Sequence, residues 1–278
     1  MKKIIVPIDF TEDSINALEF AIPIANKLEA DLTMVYVIKV KRFDFFRGVE
    51  SVSTKGDFEN LVINYADKVK GKLDYKIVKG RVHDEINKIA KDDAATYIVM
   101  AAQAMSGLGE ILASSDAYRV VAESPCPVIT IRKEFQKRDI KKIIMPIDHT
   151  FESRQKTPKT MDMAIHSDAV VYVLGTCSDN DKEFEHKVKS YLSQTTEVLT
   201  KHNVKYISKY MRSSNVTQTI IDYAKEIDAD MIAIMTEQEG SIADMLGGGA
   251  SQYMVHHSPV PILSVHPRED LVIKTFLK

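Results

Sequence analysis

Cysteine is nearly missing from this chain: Cys126 and Cys177 are the only two in 278 residues, and no Cys-x-x-Cys spacing occurs. A disulfide framework and a thiolate metal site are therefore not indicated, and both thiols are expected as buried apolar side chains. Long apolar runs are lacking as well. The longest, such as the one at 97–102, are broken by polar residues within about six positions, far short of the roughly 18 that suggest a membrane helix. The opening MKKIIVPIDF reaches Pro7 and Asp9 before any stretch long enough for a signal-peptide core. It reads as a first strand, so the expected location is cytoplasmic, with no membrane partner. Charge of one sign is also missing, since 37 Lys and Arg against 39 Asp and Glu leave a formal net charge of −2. No global field draws the chain to nucleic acid, and no nucleic-acid partner is expected.

What the chain does contain is a repeat. IIVPIDFTEDS at 4–14 and IIMPIDHTFES at 143–153 match at seven of eleven positions without a gap, and Asp148 stands 139 positions after Asp9. SPCPVITI at 124–131 answers SPVPILSV at 258–265 with an offset of 134. Stacking repeats run to roughly 20 to 50 residues, so an interval this long marks two whole domains, each with a core of roughly 140 residues. The expected boundaries are 1–134 and 140–267, followed by a tail at 268–278. The falling offset means that copy two has lost residues, and the losses are read around its first helix and the loop after its second strand. Between the copies, KEFQKRDIKK at 133–142 reads as a short solvated linker leading into the next strand.

Within copy one, apolar runs at about 3–8, 31–38, 74–79, 95–101 and 127–132 read as strands. Between them lie helical patterns at 12–28, 57–72, 82–92 and 109–122, with Ile15, Leu18, Ala21, Ile22 and Ala25 at helical spacing. Copy two repeats the strands near 141–147, 169–175, 204–210, 229–235 and 261–265. Such alternation predicts an α/β fold: two tandem doubly wound domains, each a parallel sheet with helices on both faces.

In an open sheet of this kind the ligand crevice lies beyond the carboxyl ends of the strands. The loop after the first strand carries Asp9 in copy one and Asp148 in copy two, each directly after a Pro-Ile pair that begins at Pro7 in copy one. A carboxylate there can accept a hydrogen bond from an exocyclic amine such as that of adenine. It can equally bond its own loop backbone ahead of the following helix. The loop after the fourth strand begins at Met100 in copy one, MAAQAMSGLGEILASSDAYRVV, and at Ile234 in copy two, IMTEQEGSIADMLGGGASQYMV.

Other segments carry weaker signals. The loop at 39–56, absent from copy two, mixes Lys39, Lys41, Arg42 and Arg47 with Phe43, Phe45 and Phe46, a composition that suits an acidic partner, a pocket, a membrane surface, or packing onto its own domain. The apolar tail residues Leu271, Val272, Ile273, Phe276 and Leu277 are expected to dock on a domain or a partner chain. His149, His256, His257 and His266 do not make a metal site: the adjacent pair points about 100° apart on a helix, and no carboxylate-histidine spacing supports zinc. No Ser-His-Asp or Cys-His arrangement is evident either.

The placement of VPIDF, the closing SPCPV and the fourth-strand loop resemble the universal stress protein family, here as a tandem of two such domains. The resemblance implies a five-stranded parallel sheet in each copy, ordered 3-2-1-4-5. It also implies that the last strand is the pairing edge, so that one polypeptide forms an intrachain pseudo-dimer, with a homodimer as a further assembly. The family's ATP-binding members place Gly-x2-Gly-x9-Gly-(Ser/Thr) in the fourth-strand loop. On this chain those positions fall on Ala101, Ala104 and Ser114, with the hydroxyl at Ser115. In copy two the first two fall on Met235 and Gln238, beside Glu237 and Glu239, whereas Gly247, Gly248 and Gly249 ahead of Ala250 and Ser251 keep the later half of a phosphate cradle, or a flexible helix entrance. Alanine keeps the backbone N–H but adds a methyl group, which weakens a phosphate loop. An apolar adenine-pocket residue at the end of the second strand maps onto Val37 in VYVI and Val173 in VYVL, and core packing explains both equally well.

The implied function is a stress-response protein with a degenerate adenine-nucleotide site, its cofactor ATP or AMP with magnesium, centred in copy one on Asp9, Val37, Ala101, Ala104, Ser114 and Ser115. The alternative is a scaffold that keeps the fold and contacts a protein partner. An enzyme ranks last: no base or metal-holding carboxylate is evident near the phosphates, which leaves weak ATP hydrolysis as its residual form.

Overall fold

The structure is a computed structural model that describes residues 1–39, 50–102, 114–178, 182–236 and 250–267. Two compact units result, Met1–Cys126 and Pro127–Lys278. The first unit runs β1 (Lys3–Pro7), α1 (Glu12–Leu28), β2 (Asp31–Lys39), α2 (Glu50–Tyr65), a 3-10 turn at Ala66–Lys68, β3 (Leu73–Gly80), α3 (Val82–Asp92), β4 (Tyr97–Ala101) and α4 (Ser114–Glu123). β1 lies between β2 and β4, with β3 outside β2, and all these pairs are parallel.

The second unit opens with β5 (Val128–Ile131), the strand that the repeat assigns to copy one, and continues β6 (Lys142–Ile147), a 3-10 turn at Glu152–Arg154, α5 (Thr157–Ser167), β7 (Val170–Cys177) and α6 (Lys182–Lys201). It then runs β8 (Tyr206–Arg212), α7 (Val216–Glu226), β9 (Met231–Met235), α8 (Ala250–His257) and β10 (Ile262–Val265). Its parallel strands are ordered β8-β7-β6-β9-β10, and the strand order of each copy is 3-2-1-4-5. Within this unit β5 pairs with β10 antiparallel, Ile262 opposite Thr130 and Leu263 opposite Ile129.

Local chemistry explains the elements. α1 begins where the Thr11 side chain accepts the Ser14 N–H, follows with Glu12 and Asp13 in its first turn, and ends at Glu29 in the left-handed conformation. Its buried Ala17, Leu18, Ala21, Ile22 and Ala25 form one apolar stripe. The SPxP motif that closes each copy has a mechanical reason: Ser124 Oγ donates to the Cys126 carbonyl at 2.7 Å, and Ser258 Oγ to that of Val260 at 2.7 Å, closing the same turn ahead of β5 and β10.

Several expectations need correction. Lys3 pairs with Asp31 and Lys142 with Val170, so both strands keep the offset (142 − 3 = 170 − 31 = 139) and nothing is lost around the first helix. Leu32 pairs with Leu73 but Val171 with Tyr206, an offset of 206 − 73 = 133, which places a net loss of six residues between the second and third strands. One is regained before the fourth strand, where Met231 stands 231 − 97 = 134 after Tyr97. What shortens near the first helix of copy two is the helix itself, not the chain.

The connector at 133–142 is not simply solvated: Phe135 and Ile140 are buried, and Lys137 Nζ pairs with Asp228 at 2.7 Å and Asp230 at 3.1 Å. Two apolar residues among the charges were enough to hold it down. The loop at 39–56 is helical from Glu50 onward, with Gly56 inside α2 and nothing within 4 Å of where its Cβ would stand, while 40–49 lie outside the described residues. α2 correspondingly ends at Tyr65, earlier than the helix read at 57–72. Cys177 is buried but Cys126 is only half-buried. The tail at 268–278 and the stretch 109–113 of the fourth expected helix lie outside the described residues.

Candidate functional site

The first-strand loops do the same work in both copies. Asp9 Oδ1 accepts the Thr11 N–H at 3.1 Å and the Thr11 hydroxyl at 2.5 Å. Asp148 Oδ1 accepts the Thr150 N–H at 2.6 Å and the Thr150 hydroxyl at 2.5 Å. One carboxylate oxygen thus organises the loop, and Oδ2 has no hydrogen-bond partner among the described residues in either copy. The next residue, Phe10, sits at φ 63°, sparsely populated for a side chain with a Cβ, and packs its ring on Phe58 of α2 at 4.9 Å and on Tyr36 at 5.6 Å. Its counterpart His149 stacks on Phe184 of α6 at 4.0 Å.

After this loop the copies part. In copy one the chain enters α1 directly. In copy two Pro158 stands in the first turn of α5, a 3-10 turn precedes it, and residue 139 + 17 = 156 is lysine where copy one has Ala17. Ser153, Arg154, Gln155, Lys156, Thr157 and Thr160 are all buried there, in place of Ser14, Ile15, Asn16, Ala17, Leu18 and Ala21. Arg154, which does not line the cleft, bonds Gln194 through Nη1 and lies over the Tyr191 ring at 3.7 Å. Lys156, 3% exposed, donates to the Ser153 carbonyl, its one hydrogen-bond acceptor among the described residues. Burial pushes its amine down to about 8, with the Asp148 carboxylate pulling the other way.

Lys156 forms part of the wall of a cleft of about 530 Å³ at the carboxyl ends of β6, β7 and β9, in the range of small-molecule sites. Asp148, Thr150, Glu152 and Thr176 line its polar side; Val216, Ile220, Met235 and Met254 line its apolar side. Ile220, Ile234 and Met254 also belong to the core, so the floor of the cleft is the packed interior of the domain. Ser251, the second residue of α8, lines the cleft with a buried hydroxyl that has no hydrogen-bond partner among the described residues. Opposite it, Thr236 Oγ1 and His266 Nδ1 lie 2.9 Å apart.

Of the residues singled out from the sequence, Asp148 lines this cleft, as does Pro146, the counterpart of Pro7. Val173 does not: it is wholly buried in β7, and the strand register puts Thr176, 139 after Val37, at the position intended. The VYVI and VYVL strings look alike but are displaced by three residues, an odd number, which turns the side chain to the other face of the strand. Val37, Met100 and Ala101 are buried in copy one, and Ser114 and Ser115 open α4. Ala104, Gly248 and Gly249 lie outside the described residues. Ser251 stands in the stretch read as the later half of a phosphate cradle or a flexible helix entrance, whereas Lys156 was not singled out from the sequence, although the ungapped offset of 139 sets a lysine against an alanine in the middle of an apolar stripe.

Among the described residues the metal-ligating side chains that come together are His83, Asp84 and Glu123, none of them among the histidines considered earlier. Neighbours on α3 point about 100° apart, and Asp84 and Glu123 are exposed. Among the described residues no helix is long and apolar enough to cross a membrane.

Comparison with known proteins places this geometry. A crystal structure of a universal stress protein from Archaeoglobus fulgidus superimposes with a TM-score of 0.76 at 18% identity, covering 96% of this chain and 97% of that one. A putative universal stress protein from Pseudomonas aeruginosa gives 0.68 at 14% identity, covering 100% and 97%. In sequence, a universal stress protein of Methanocaldococcus jannaschii is 28% identical over 146 residues, 48% of this chain and 82% of that protein, so it matches about one copy. The sequence model of the Universal stress protein family matches twice, at residues 1–132 and 139–266. With both copies matched and the doubly wound order present in each, the chain belongs to the universal stress protein family.

Proposed function

We propose that this chain is a stress-response protein that holds an adenine nucleotide in the cleft of copy two. The observation that supports the reading is the cleft itself, lined by Asp148, with one carboxylate oxygen open, and by the Ser251 hydroxyl at the start of α8, neither oxygen having a hydrogen-bond partner among the described residues. A carboxylate oxygen is the acceptor that an adenine amine needs, and a helix start with a donor hydroxyl suits a phosphate. Copy one keeps Asp9 but meets it with an apolar α1, so the nucleotide site expected there is the lesser of the two.

The rival is a scaffold that keeps the fold alone. It is favoured by a specific observation: Asp9 and Asp148 each commit one oxygen to their own loop, as an ordinary turn carboxylate does. Thermal denaturation of the purified chain with ATP, ADP or AMP and magnesium separates the two. A ligand at 100 times its dissociation constant adds roughly 2.7 kcal/mol of stability. Under our reading the shift is lost in Asp148→Ala and reduced in Ser251→Ala while Asp9→Ala retains it. No shift with any of the three at millimolar concentration hands the function to the scaffold.

A further inference from the structure

The nucleotide reading gives no part to the buried lysine of copy two, which has no counterpart in copy one and stands in a cleft wall with one acceptor among the described residues for its three protons. Burying an ammonium costs several kcal/mol unless it is well paired, and the matching position in copy one shows that alanine satisfies the fold. The surroundings decide what the amine can meet. Among the described residues the acids lining the cleft with it are Asp148, which acts on it electrostatically, and Glu152, while the lining residues of β9, α7 and α8 are uncharged. The apolar wall of Val216, Ile220 and Met254 suits a hydrocarbon body.

We propose that Lys156 is a carbonyl-trapping amine that takes a neutral, largely apolar aldehyde from the cleft as a Schiff base. The neutral Nζ adds to the carbonyl carbon, forming the N–C bond while the carbonyl π pair becomes a hydroxyl and one amine proton moves to that oxygen. Loss of the second amine proton and of the hydroxyl as water then gives the C=N bond, with no net oxidation or reduction. Asp148 Oδ2, without a hydrogen-bond partner among the described residues and close enough to act on Lys156 electrostatically, carries the proton between the two steps. Desolvation leaves a far larger share of the amine neutral near physiological pH than an ordinary lysine has, as the addition requires. This site uses the same cleft as the nucleotide reading but does not depend on it.

The test uses the intact chain, benzaldehyde as probe, and cyanoborohydride to reduce the imine, with modified lysines located by peptide mass mapping. Lys55 and Lys205, whose side chains are about two-thirds exposed, serve as internal references. Lys156 is expected to be labelled at least 10-fold faster than either at pH 7.5, with its rate rising to a plateau above about pH 8, and Asp148→Asn is expected to slow it at least 10-fold. Labelling of Lys156 no faster than that of Lys55 overturns the proposal. An unchanged rate in Asp148→Asn overturns the role of that carboxylate.

Discussion

Residues 14–21 of copy one and 153–160 of copy two follow the same strand, stand 139 positions apart and answer opposite demands. The first stretch buries Leu18 and Ala21 in an uninterrupted helix, whereas the second buries Lys156, Thr157 and Thr160 across a 3-10 turn and a reset helix start. The strands on either side keep identical register in the two copies. The sheet therefore fixes the fold, and the helix that follows its central strand is free to change chemistry. Copy one shows that an apolar stripe suffices there, so the polar burial of copy two is a departure toward function rather than a structural need.

The sharpest way to break this comparison is to move the lysine. Ala17→Lys places an ammonium inside a regular helix with no 3-10 turn to bring it to a carbonyl, and is expected to cost about 3–5 kcal/mol, the scale of an uncompensated buried charge. Lys156→Met in copy two is expected to be neutral or stabilising. Urea denaturation of the two variants against the parent measures both, and equal losses would show that the two positions are not distinct environments.

A second experiment sharpens the comparison through pH. Below pH 8 Lys156 carries its proton in both the folded and unfolded chain, and the penalty of the buried charge is fully present. Between about 8 and the ordinary lysine value of 10.5 the unfolded chain binds the proton and the folded chain does not, so stability rises with pH. From pH 7.5 to 9.5 the parent should gain about 2 kcal/mol relative to Lys156→Met, since one pKa unit corresponds to about 1.4 kcal/mol. Taking the difference removes other groups that titrate in this range, such as Tyr210 and Tyr223, both raised by burial. A flat difference would mean that Lys156 is solvated.

The two copies also mark what was legible in the sequence. α1 and α3 lie where apolar spacing put them, because the helical period runs unbroken through both. The strand order followed from the resemblance, and the alternation of elements indicated only the parallel α/β class. Gly56 and the charges near it disguised the first turns of α2, since an exposed helix glycine costs little when nothing packs against it. Val173 was misplaced because the VYVI and VYVL strings stand three residues out of step with the uniform offset that the strand register keeps. The cleft of copy two was hidden for a different reason. Glycine losses pointed away from it, whereas its distinctive groups, Lys156 and Ser251, acquire meaning only from burial and missing partners, which no residue spacing records.

The smallest effect concerns the threonine that follows each aspartate by two. Thr11 both donates to Asp9 and accepts the Ser14 N–H, so it is the true cap of α1. Thr150 donates to Asp148, but no main-chain N–H reaches its hydroxyl, since the chain ahead of it is a 3-10 turn and α5 starts seven residues later at Thr157. Thr11→Ala should therefore lower stability by about 1 kcal/mol, the usual worth of a side-chain cap. Thr150→Ala should cost clearly less, because it removes only a bond to a carboxylate that keeps the Thr150 N–H as donor. Equal losses would mean that the 3-10 turn depends on Thr150 as much as α1 depends on Thr11, and that copy two replaced its cap instead of giving it up.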